Sequence, residues 1–176
     1  MEHKNKDIKV FKNFLIESEF KNIVQLVVSE GFSWFYQKEQ NPNCKDGFFF
    51  SHKLYENDIM NSSYFDRIIN PFKKKINYTS LIRAQINLLT RSDKPRRSIM
   101  HRDNNNNTVT TGLFYLNNNN GYTEFESGEK IKSISNMYVE FPVKLKHRAV
   151  SQTDVDCRTV LNLNYLKWVF QKVDTL

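Results

Sequence analysis

Residues 81–89, LIRAQINLL, and residues 108–117, TVTTGLFYLN, are the stretches from which the expected fold is derived. Both are short runs rich in apolar residues and bounded by polar segments, which is typical of buried strands. Further strands are predicted over residues 123–126, 131–134, 137–141 and 157–170. Turn signals such as Asn120-Gly121 and Ser127-Gly128 separate them, so a run of strands occupies the C-terminal half of the chain.

The residues before this run show helical spacing. An apolar stripe recurs at every third or fourth position, and a second helix is predicted over residues 63–76, where Pro71 should kink or split it. The stripe consists of Phe20, Ile23, Val24, Val27 and Val28. Helices followed by a run of strands predict an α+β, mainly β protein in which N-terminal helices pack on a β-sandwich or barrel.

Length and composition limit the class of protein. A chain of 176 residues is long enough for one domain with a hydrophobic core, so we expect a single domain over residues 1–176. It would comprise a helical buttress over about 1–78 and a barrel core over about 79–170. The charged N-terminal residues, the lack of a long apolar run and the presence of only Cys44 and Cys157 argue against a secretory signal, a membrane span and a disulfide framework. These features favour a reduced, cytoplasmic protein.

His101-Arg102-Asp103 places two metal-ligand side chains two positions apart. Residues i and i+2 of a strand point to the same side, so one imidazole and one carboxylate can hold a single ion there. His147, after several intervening strands, can supply a third ligand. Two histidines and one carboxylate form the facial triad of non-heme iron(II) oxygenases. The His-x-Asp pair alone is a weak signal, because a surface histidine beside a solvated aspartate has the same spacing.

The order of motifs from Asn87 to Tyr165 resembles that of the 2-oxoglutarate/iron(II) oxygenase superfamily, most closely its prolyl-4-hydroxylase-like branch, which includes small phage-encoded members. The family pattern is His-x-Asp, a strand ending in Tyr-Leu-Asn, a Gly-Gly-x-Thr-x-Phe turn and strand, and a Phe-Pro segment before a second His, with an Arg roughly ten residues later. The corresponding elements here are His101-Arg102-Asp103, Tyr115-Leu116-Asn117, Gly121-Tyr122-Thr123-Glu124-Phe125, Phe141-Pro142, His147 and Arg158.

The resemblance implies a double-stranded β-helix, which is the jelly-roll, cupin-like barrel of this superfamily. It implies that His101, Asp103 and His147 hold iron(II) and that Arg158 pairs with the distal carboxylate of 2-oxoglutarate. A planar guanidinium suits that role because it can bind a carboxylate through two parallel hydrogen bonds. The implied reaction consumes 2-oxoglutarate and O2, hydroxylates a substrate C–H bond, and releases succinate and CO2.

Three further residues are candidates for co-substrate contact. Strand alternation places Asn162 on the same face as Arg158, with Val160 and Asn164, so its polar side chain should face a polar cavity. Tyr115 matches a tyrosine that bonds the distal carboxylate in some relatives. Asn87 lies on the strand where nucleic-acid demethylases of the superfamily place an asparagine.

The substrate is left open among three hypotheses. The resemblance favours hydroxylation of a peptidyl side chain, as in prolyl hydroxylases. A nucleic-acid base or nucleotide oxygenase would instead use an electrostatic funnel formed by the basic loop, residues 91–102, and by the cations that flank His147. The third hypothesis is a double-stranded β-helix that binds a ligand without catalysis. The expected partner is a peptide, protein or acidic substrate, with nucleic acid as the alternative and no membrane.

Overall fold

The computed structural model of the chain describes residues 5–38 and 47–167. Cys44 and residues 168–170 of the last predicted strand lie outside this range. The elements, in order, are β1 (Lys9–Phe11), α1 (Glu17–Val27), β2 (Phe35–Lys38), β3 (Phe48–Glu56), β4 (Ile59–Met60), α2 (Phe65–Lys73), β5 (Tyr78–Thr90), β6 (Val109–Tyr115), β7 (Tyr122–Phe125), β8 (Lys130–Lys132), β9 (Met137–Pro142), β10 (His147–Val150) and β11 (Cys157–Lys167).

The strands form two antiparallel sheets. The larger sheet has the order β1-β9-β6-β11-β5-β3-β2, with β4 paired to β3, and the smaller sheet has the order β10-β7-β8. The long strand β11 lies between β6 and β5, and its register places Arg158 opposite Leu89 and Asn162 opposite Gln85. The side chains of β5 and β11 that share a face therefore form one continuous surface, on which the candidate site is built.

Alternation along β11 separates two hydrophobic cores. Leu161, Leu163 and Tyr165 belong to a core that also contains buried residues of both helices. Val160, on the opposite face, belongs to a second core that includes Phe125 of the smaller sheet. The helices thus cover one face of the large sheet, and the polar residues of β11 point from the other face.

This architecture confirms the predicted fold class, a mainly β protein with helices against a large antiparallel sheet. Helix α2, however, continues through Pro71, which was expected to kink or split it. The hydrogen bond that Pro71 cannot donate falls on the carbonyl of Arg67, a solvent-exposed residue, so water can replace it. No helix within residues 5–38 or 47–167 has the length and apolar character that a membrane-spanning helix needs.

Asn136 fastens the N-terminal segment to the strands. Its Oδ1 accepts a hydrogen bond from the backbone N–H of Leu15 at 2.9 Å, and its Nδ2 donates to the carbonyl of Leu15 at 2.9 Å. The backbone of Asn136 has a φ of 56° and also accepts from the N–H of Phe14. This asparagine holds the segment between β1 and α1 against the turn that precedes β9.

Candidate metal and co-substrate site

The backbone brings the two predicted histidine ligands side by side. His101 and His147 form an isolated antiparallel bridge in which each backbone N–H donates to the other residue's carbonyl at 3.0 Å. Asp103 follows two residues later, and its side chain is only 3% exposed. Ligand atoms of the three side chains lie within 4.8 Å of one another. Residues from distant parts of the sequence therefore converge on one point.

Both imidazoles are oriented with the same nitrogen toward Asp103. His101 Nδ1 lies 2.9 Å from the carbonyl of Ile99, and His147 Nδ1 lies 3.5 Å from the carbonyl of Leu145. A carbonyl can only accept, so Nδ1 is the protonated nitrogen in both contacts. In the neutral form of each ring, Nε2 then carries the lone pair, and it lies 3.6 Å (His101) and 3.7 Å (His147) from the oxygens of Asp103. This tautomer is the one that metal-binding histidines adopt when a second group fixes the ring.

The carboxylate of Asp103 is held by side chains of the large sheet. Asn162 Nδ2 and Asn164 Nδ2 lie 3.3 Å from its oxygens, and Thr111 Oγ1 donates to Oδ2 at 3.2 Å. The Oδ1 atoms of Asn162 and Asn164 are buried without a partner among the described residues. Both asparagines thus face the polar space that strand alternation predicts, but their amide nitrogens orient a ligand carboxylate.

The electrostatics of the triad favour metal binding. Burial alone would raise the pKa of Asp103, but a hydrogen bond from His101 and nearby positive charge outweigh it and hold the pKa well below its usual value. Burial lowers the pKa of His147, whereas the hydrogen bond with Asp103 raises the pKa of His101. A deprotonated carboxylate and a neutral imidazole are the forms that bind a divalent ion. The donor set of two imidazoles and one carboxylate suits iron(II).

Arg158 is a buried cation without a buried anion. The residue is 2% exposed, and no carboxylate of the described residues forms an ion pair with it. Its Nε donates to Ser133 Oγ at 2.7 Å and its Nη2 to Thr123 Oγ1 at 3.2 Å, while its guanidinium carbon lies 5.5 Å from the ring centroid of Tyr115. Burial lowers the pKa of Arg158. Neutral hydroxyls only partly offset the cost of burying this charge, so the site is suited to an added carboxylate.

A small cavity of about 80 Å³ joins the triad to Arg158. Its walls include both triad histidines, Arg158, and two of the other predicted contact residues, Asn87 and Asn162. Tyr115 is not among the lining residues, because its hydroxyl is turned to Thr123 Oγ1 at 2.8 Å. Apolar wall is supplied by Leu89, Leu113, Ala149 and Val160.

A larger cavity of about 510 Å³ opens in front of the triad. Four of its lining residues belong to the triad or also line the small cavity, namely His101, Asp103, Asn87 and Asn162. Its remaining walls combine aromatic, aliphatic, polar and basic residues, namely Phe48, Phe49, Arg83, Gln85, Leu89, Arg96, Ser98, Arg102 and Ala149. Arg96, Ser98 and Arg102 of the basic loop thus border the opening beside the candidate metal centre, as the position of the loop in the sequence suggests.

The basic loop is exposed but fastened to the chain around β10. Ser98 N–H donates to the carbonyl of Ala149 at 3.0 Å, and Ser151 N–H donates to the carbonyl of Arg96 at 2.9 Å. Ser151 Oγ also accepts from the N–H of Arg96 at 2.8 Å. These contacts fix Arg96 at the edge of the larger cavity.

Several cations near the site form ion pairs with carboxylates that line neither cavity. We call six of them the paired outer cations, since each lies within 4.0 Å of a carboxylate oxygen. They are Arg91 with Asp156, Arg97, Lys130 and Arg148 with Glu124, Lys144 with Asp7, and Lys146 with Glu126. None of the six lines either cavity. The cations that flank His147 therefore lie outside both cavities, and a funnel formed by them stays a prediction.

Two residues of the site carry no motif in the sequence. Ser133 bonds Arg158 and Thr111 bonds Asp103, whereas Thr123, which also bonds Arg158, belongs to the Gly-Gly-x-Thr-x-Phe element. Arg83 and Gln85 could have been recognised, because they continue the face of β5 that carries Asn87. Polar residues at every second position of an otherwise apolar strand indicate a cavity on that side.

No known sequence family matches the chain, and no curated protein matches it in sequence. Solved structures do match its fold. An oxidoreductase of the 2-oxoglutarate/iron(II) oxygenase family from Burkholderia pseudomallei superimposes with a TM-score of 0.69 at 12% identity, over 91% of this chain and 85% of that one. A prolyl hydroxylase from Trichoplax adhaerens, in complex with a peptide fragment of a hypoxia-inducible factor, has a TM-score of 0.61 at 16% identity, over 93% and 84%.

A third match is HygX from Streptomyces hygroscopicus with nickel and 2-oxoglutarate bound, with a TM-score of 0.59 at 10% identity, over 94% of this chain and 85% of that one. At these identities the likeness establishes the fold. The chain has the double-stranded β-helix fold of 2-oxoglutarate/iron(II) oxygenases, with prolyl hydroxylases among its structural neighbours. None of these structures supports a phage origin.

Proposed function

We propose that this chain is an iron(II)- and 2-oxoglutarate-dependent dioxygenase that hydroxylates a substrate C–H bond. The observation that carries the proposal is that one small cavity is lined by His101, His147 and Arg158. A facial triad at one end and a buried, anion-free guanidinium at the other suit a dicarboxylate that binds a metal through one end and an arginine through the other. The fold, which is that of 2-oxoglutarate/iron(II) oxygenases, supports the same function.

Each group of residues has a defined task in this proposal. The triad binds the metal, and Asn162, Asn164 and Thr111 orient its carboxylate. Arg158 binds the distal carboxylate of 2-oxoglutarate, while the apolar wall of the small cavity excludes water. The bound iron and co-substrate supply oxidising power, because reduction of O2 is coupled to decarboxylation of 2-oxoglutarate to succinate and to oxygen insertion into a C–H bond.

A peptidyl side chain is the first candidate substrate. The neighbour from Trichoplax adhaerens is a prolyl hydroxylase in complex with a peptide, and a prolyl-4-hydroxylase from Pseudomonas putida has the same fold. The larger cavity opens beside His101 and Asp103 and can admit a side chain from outside. An extended nucleic-acid strand is a weaker candidate, because the paired outer cations already have carboxylate partners. The intact triad argues against a binding module without catalysis.

The proposal is tested by succinate production. The purified protein is supplied with iron(II), ascorbate, O2 and 2-oxoglutarate, with and without a panel of proline-containing peptides, and succinate is measured by mass spectrometry. We expect succinate above the level of a reaction without protein, and an increase when a true substrate is added. His147→Ala should abolish it because the triad loses a ligand.

A matched histidine control separates metal loss from general damage. His52 is also buried, but its ring nitrogens contact the carbonyl of Ser33 and Ser62 Oγ, and it lines neither cavity. His52→Ala should keep succinate production wherever the variant remains folded by circular dichroism. Failure of the wild-type protein to bind manganese(II) or zinc(II) in calorimetry would remove the basis of the proposal.

A further inference from the structure

Among the described residues, the larger cavity is lined by more positive than negative charge. Its lining includes Arg83, Arg96 and Arg102, against one acidic residue, Asp103. Asp103 belongs to the triad, so a divalent metal would use its negative charge. Within the described part of the chain Arg96 and Arg102 form no ion pair, in contrast to the paired outer cations, each of which has a carboxylate within 4.0 Å.

Arg96 lies at the cavity edge, and its N–H donors have few acceptors among the described residues. Its guanidinium carbon lies 5.7 Å from the ring centroid of Phe48, and its Nη2 has only long contacts, 3.3 Å and 3.4 Å, to the backbone and side-chain oxygens of Thr90. Its Nε is buried and has no hydrogen-bond partner among the described residues. No described carboxylate lies within ion-pair distance of Arg96. A buried N–H of a cation without an acceptor is costly unless a ligand supplies one.

Arg83, which also lines the larger cavity, has a shared carboxylate partner. It lies on β5 opposite Asn164, which bonds Asp103. Its Nε lies 3.7 Å from Glu56 Oε1 without a hydrogen bond, and Glu56 also pairs with Lys53. Arg96 has no carboxylate partner among the described residues and Arg83 shares one with Lys53, so both leave positive charge at the cavity.

The co-substrate does not account for these donors. Arg83, Arg96 and Arg102 line the larger cavity and not the small one, whereas Arg158 lines the small one and not the larger. The 2-oxoglutarate assigned to the small cavity would use Arg158 and the metal for its two ends. An anion that meets Arg83 and Arg96 must come from a second molecule, which enters through the larger cavity. Phe48 and Phe49 line the same cavity and provide an apolar contact for that molecule.

We infer that the substrate carries an anionic group, a carboxylate or a phosphate, next to an apolar or aromatic part, and that Arg83 and Arg96 bind this group while Arg102 attracts it at the opening. The inference rests on the proposed function, because it takes the larger cavity as the place where substrate meets the metal centre. A guanidinium binds carboxylate and phosphate alike through paired hydrogen bonds, so the experiment must distinguish the two.

The test uses small probes on protein loaded with zinc(II) and 2-oxoglutarate. Phenyl phosphate and phenylacetate provide an aromatic ring with each type of anion, and benzyl alcohol is the neutral match. Binding is measured by ligand-detected nuclear magnetic resonance. We expect at least one anionic probe to bind more than about ten-fold more tightly than benzyl alcohol, because hydrogen bonds to charged groups are stronger than neutral ones. Preference for phenyl phosphate or phenylacetate assigns the type of anion.

Variants locate the binding. Arg96→Gln and Arg83→Gln should each lower the affinity for the preferred anion about ten-fold or more. Arg102→Gln, at an exposed position, should lower that affinity about three-fold. Arg91→Gln is the matched control, because Arg91 begins the same loop but pairs with Asp156 outside the cavity, and it should change the affinity by less than about two-fold. Circular dichroism and thermal midpoints identify any variant that does not fold, and Arg102→Gln keeps the test decisive if Arg83→Gln is lost.

The inference is overturned if benzyl alcohol binds as tightly as both anions, if no anion binds, or if Arg96→Gln and Arg102→Gln bind them as the wild type does. Separate titrations of the wild type with zinc(II) and then 2-oxoglutarate report on the proposed function. Normal binding of both without anion binding rejects the substrate class alone. Loss of metal binding with anion binding intact rejects the oxygenase proposal and leaves the arginines as an anion site.

Discussion

At the scale of single residues, the site is defined by charges that the protein leaves incompletely satisfied. The buried guanidinium of Arg158 has two hydroxyl acceptors and an aromatic ring, but no carboxylate among the described residues. Replacing Arg158 with Leu removes the buried positive charge and introduces no other charged group. We expect Arg158→Leu to raise the Kd for 2-oxoglutarate by more than about 30-fold, since losing one partner of a buried charge pair costs about 2–5 kcal/mol.

This prediction is measured by calorimetric titration of 2-oxoglutarate into zinc-loaded protein. Zinc affinity should remain within about two-fold of the wild type, because Arg158 is not a ligand. Arg67→Leu is the matched control, as Arg67 lies on the exposed side of α2. An unchanged Kd for 2-oxoglutarate in Arg158→Leu would place the co-substrate elsewhere.

A second residue-scale prediction concerns the carboxylate of Asp103. Asn164 is 1% exposed, and its Nδ2 lies 3.3 Å from Asp103 Oδ2 and 3.2 Å from Thr111 Oγ1. Partners that orient a metal ligand typically contribute about 10- to 100-fold in metal affinity. We therefore expect Asn164→Ala to weaken zinc(II) binding about 10-fold or more, measured by competition with a chromophoric chelator.

The control for this variant is a buried asparagine with a structural task. Asn136 is 5% exposed, bonds the backbone of Leu15 and lines neither cavity. Asn136→Ala should leave zinc affinity unchanged at a temperature where both variants are folded. Equal losses of affinity in the two variants would mean that Asn164 acts only through general stability.

At the scale of elements, the connection of the N-terminal segment to the sheet is the feature most open to test. Asn136→Ala removes two hydrogen bonds and leaves the N–H and carbonyl of the buried Leu15 without partners. Each unsatisfied buried group costs about 1–3 kcal/mol, so for two groups we expect the free energy of unfolding to fall by about 2–6 kcal/mol. Urea unfolding followed by circular dichroism measures the change.

The backbone of Asn136 also has a positive φ, which Gly adopts more readily than Ala. Asn136→Gly should therefore lie between Ala and the wild type in stability, because it loses the hydrogen bonds without the conformational cost. If Asn136→Gly were as stable as the wild type, the hydrogen bonds to Leu15 would contribute nothing, and the backbone conformation alone would explain the residue.

At the scale of the whole molecule, the proposed ligands connect the two sheets. His147 begins β10 of the smaller sheet, while Arg158 and the residues that orient Asp103 come from the larger sheet. A ligand that binds only the folded protein stabilises it by about 2.7 kcal/mol at 100 times its Kd. For a chain of this size that corresponds to a rise of about 5–10 °C in Tm.

We expect zinc(II) and 2-oxoglutarate to raise the Tm in two successive steps, measured by differential scanning fluorimetry. Arg158→Leu should keep the metal step and lose the co-substrate step, whereas His147→Ala should lose both. A co-substrate step that survives in Arg158→Leu would contradict the assignment of the small cavity.

Local patterns in the sequence were sufficient for the fold class and for the candidate ligands. Alternation at every second residue identified the inward face of β11, and His101-Arg102-Asp103 indicated two ligands on one side, because strand geometry depends only on neighbouring residues. The order of motifs up to Arg158 implied the double-stranded β-helix fold through its resemblance to a known family, and the solved neighbours share that fold. These conclusions needed no knowledge of which distant residues meet.

Tertiary structure was needed for the contacts that depend on strand register and loop path. It decided that Ser133 and Thr123 hold Arg158, and that the cations flanking His147 form ion pairs outside both cavities. It also decided that Arg83 of β5 and Arg96 of the basic loop line one cavity with the triad. Charged side chains have no periodic signature of their partners, because an ion pair requires only proximity in space. The sequence therefore reveals which residues can bind, and the fold selects which of them remain available to a ligand.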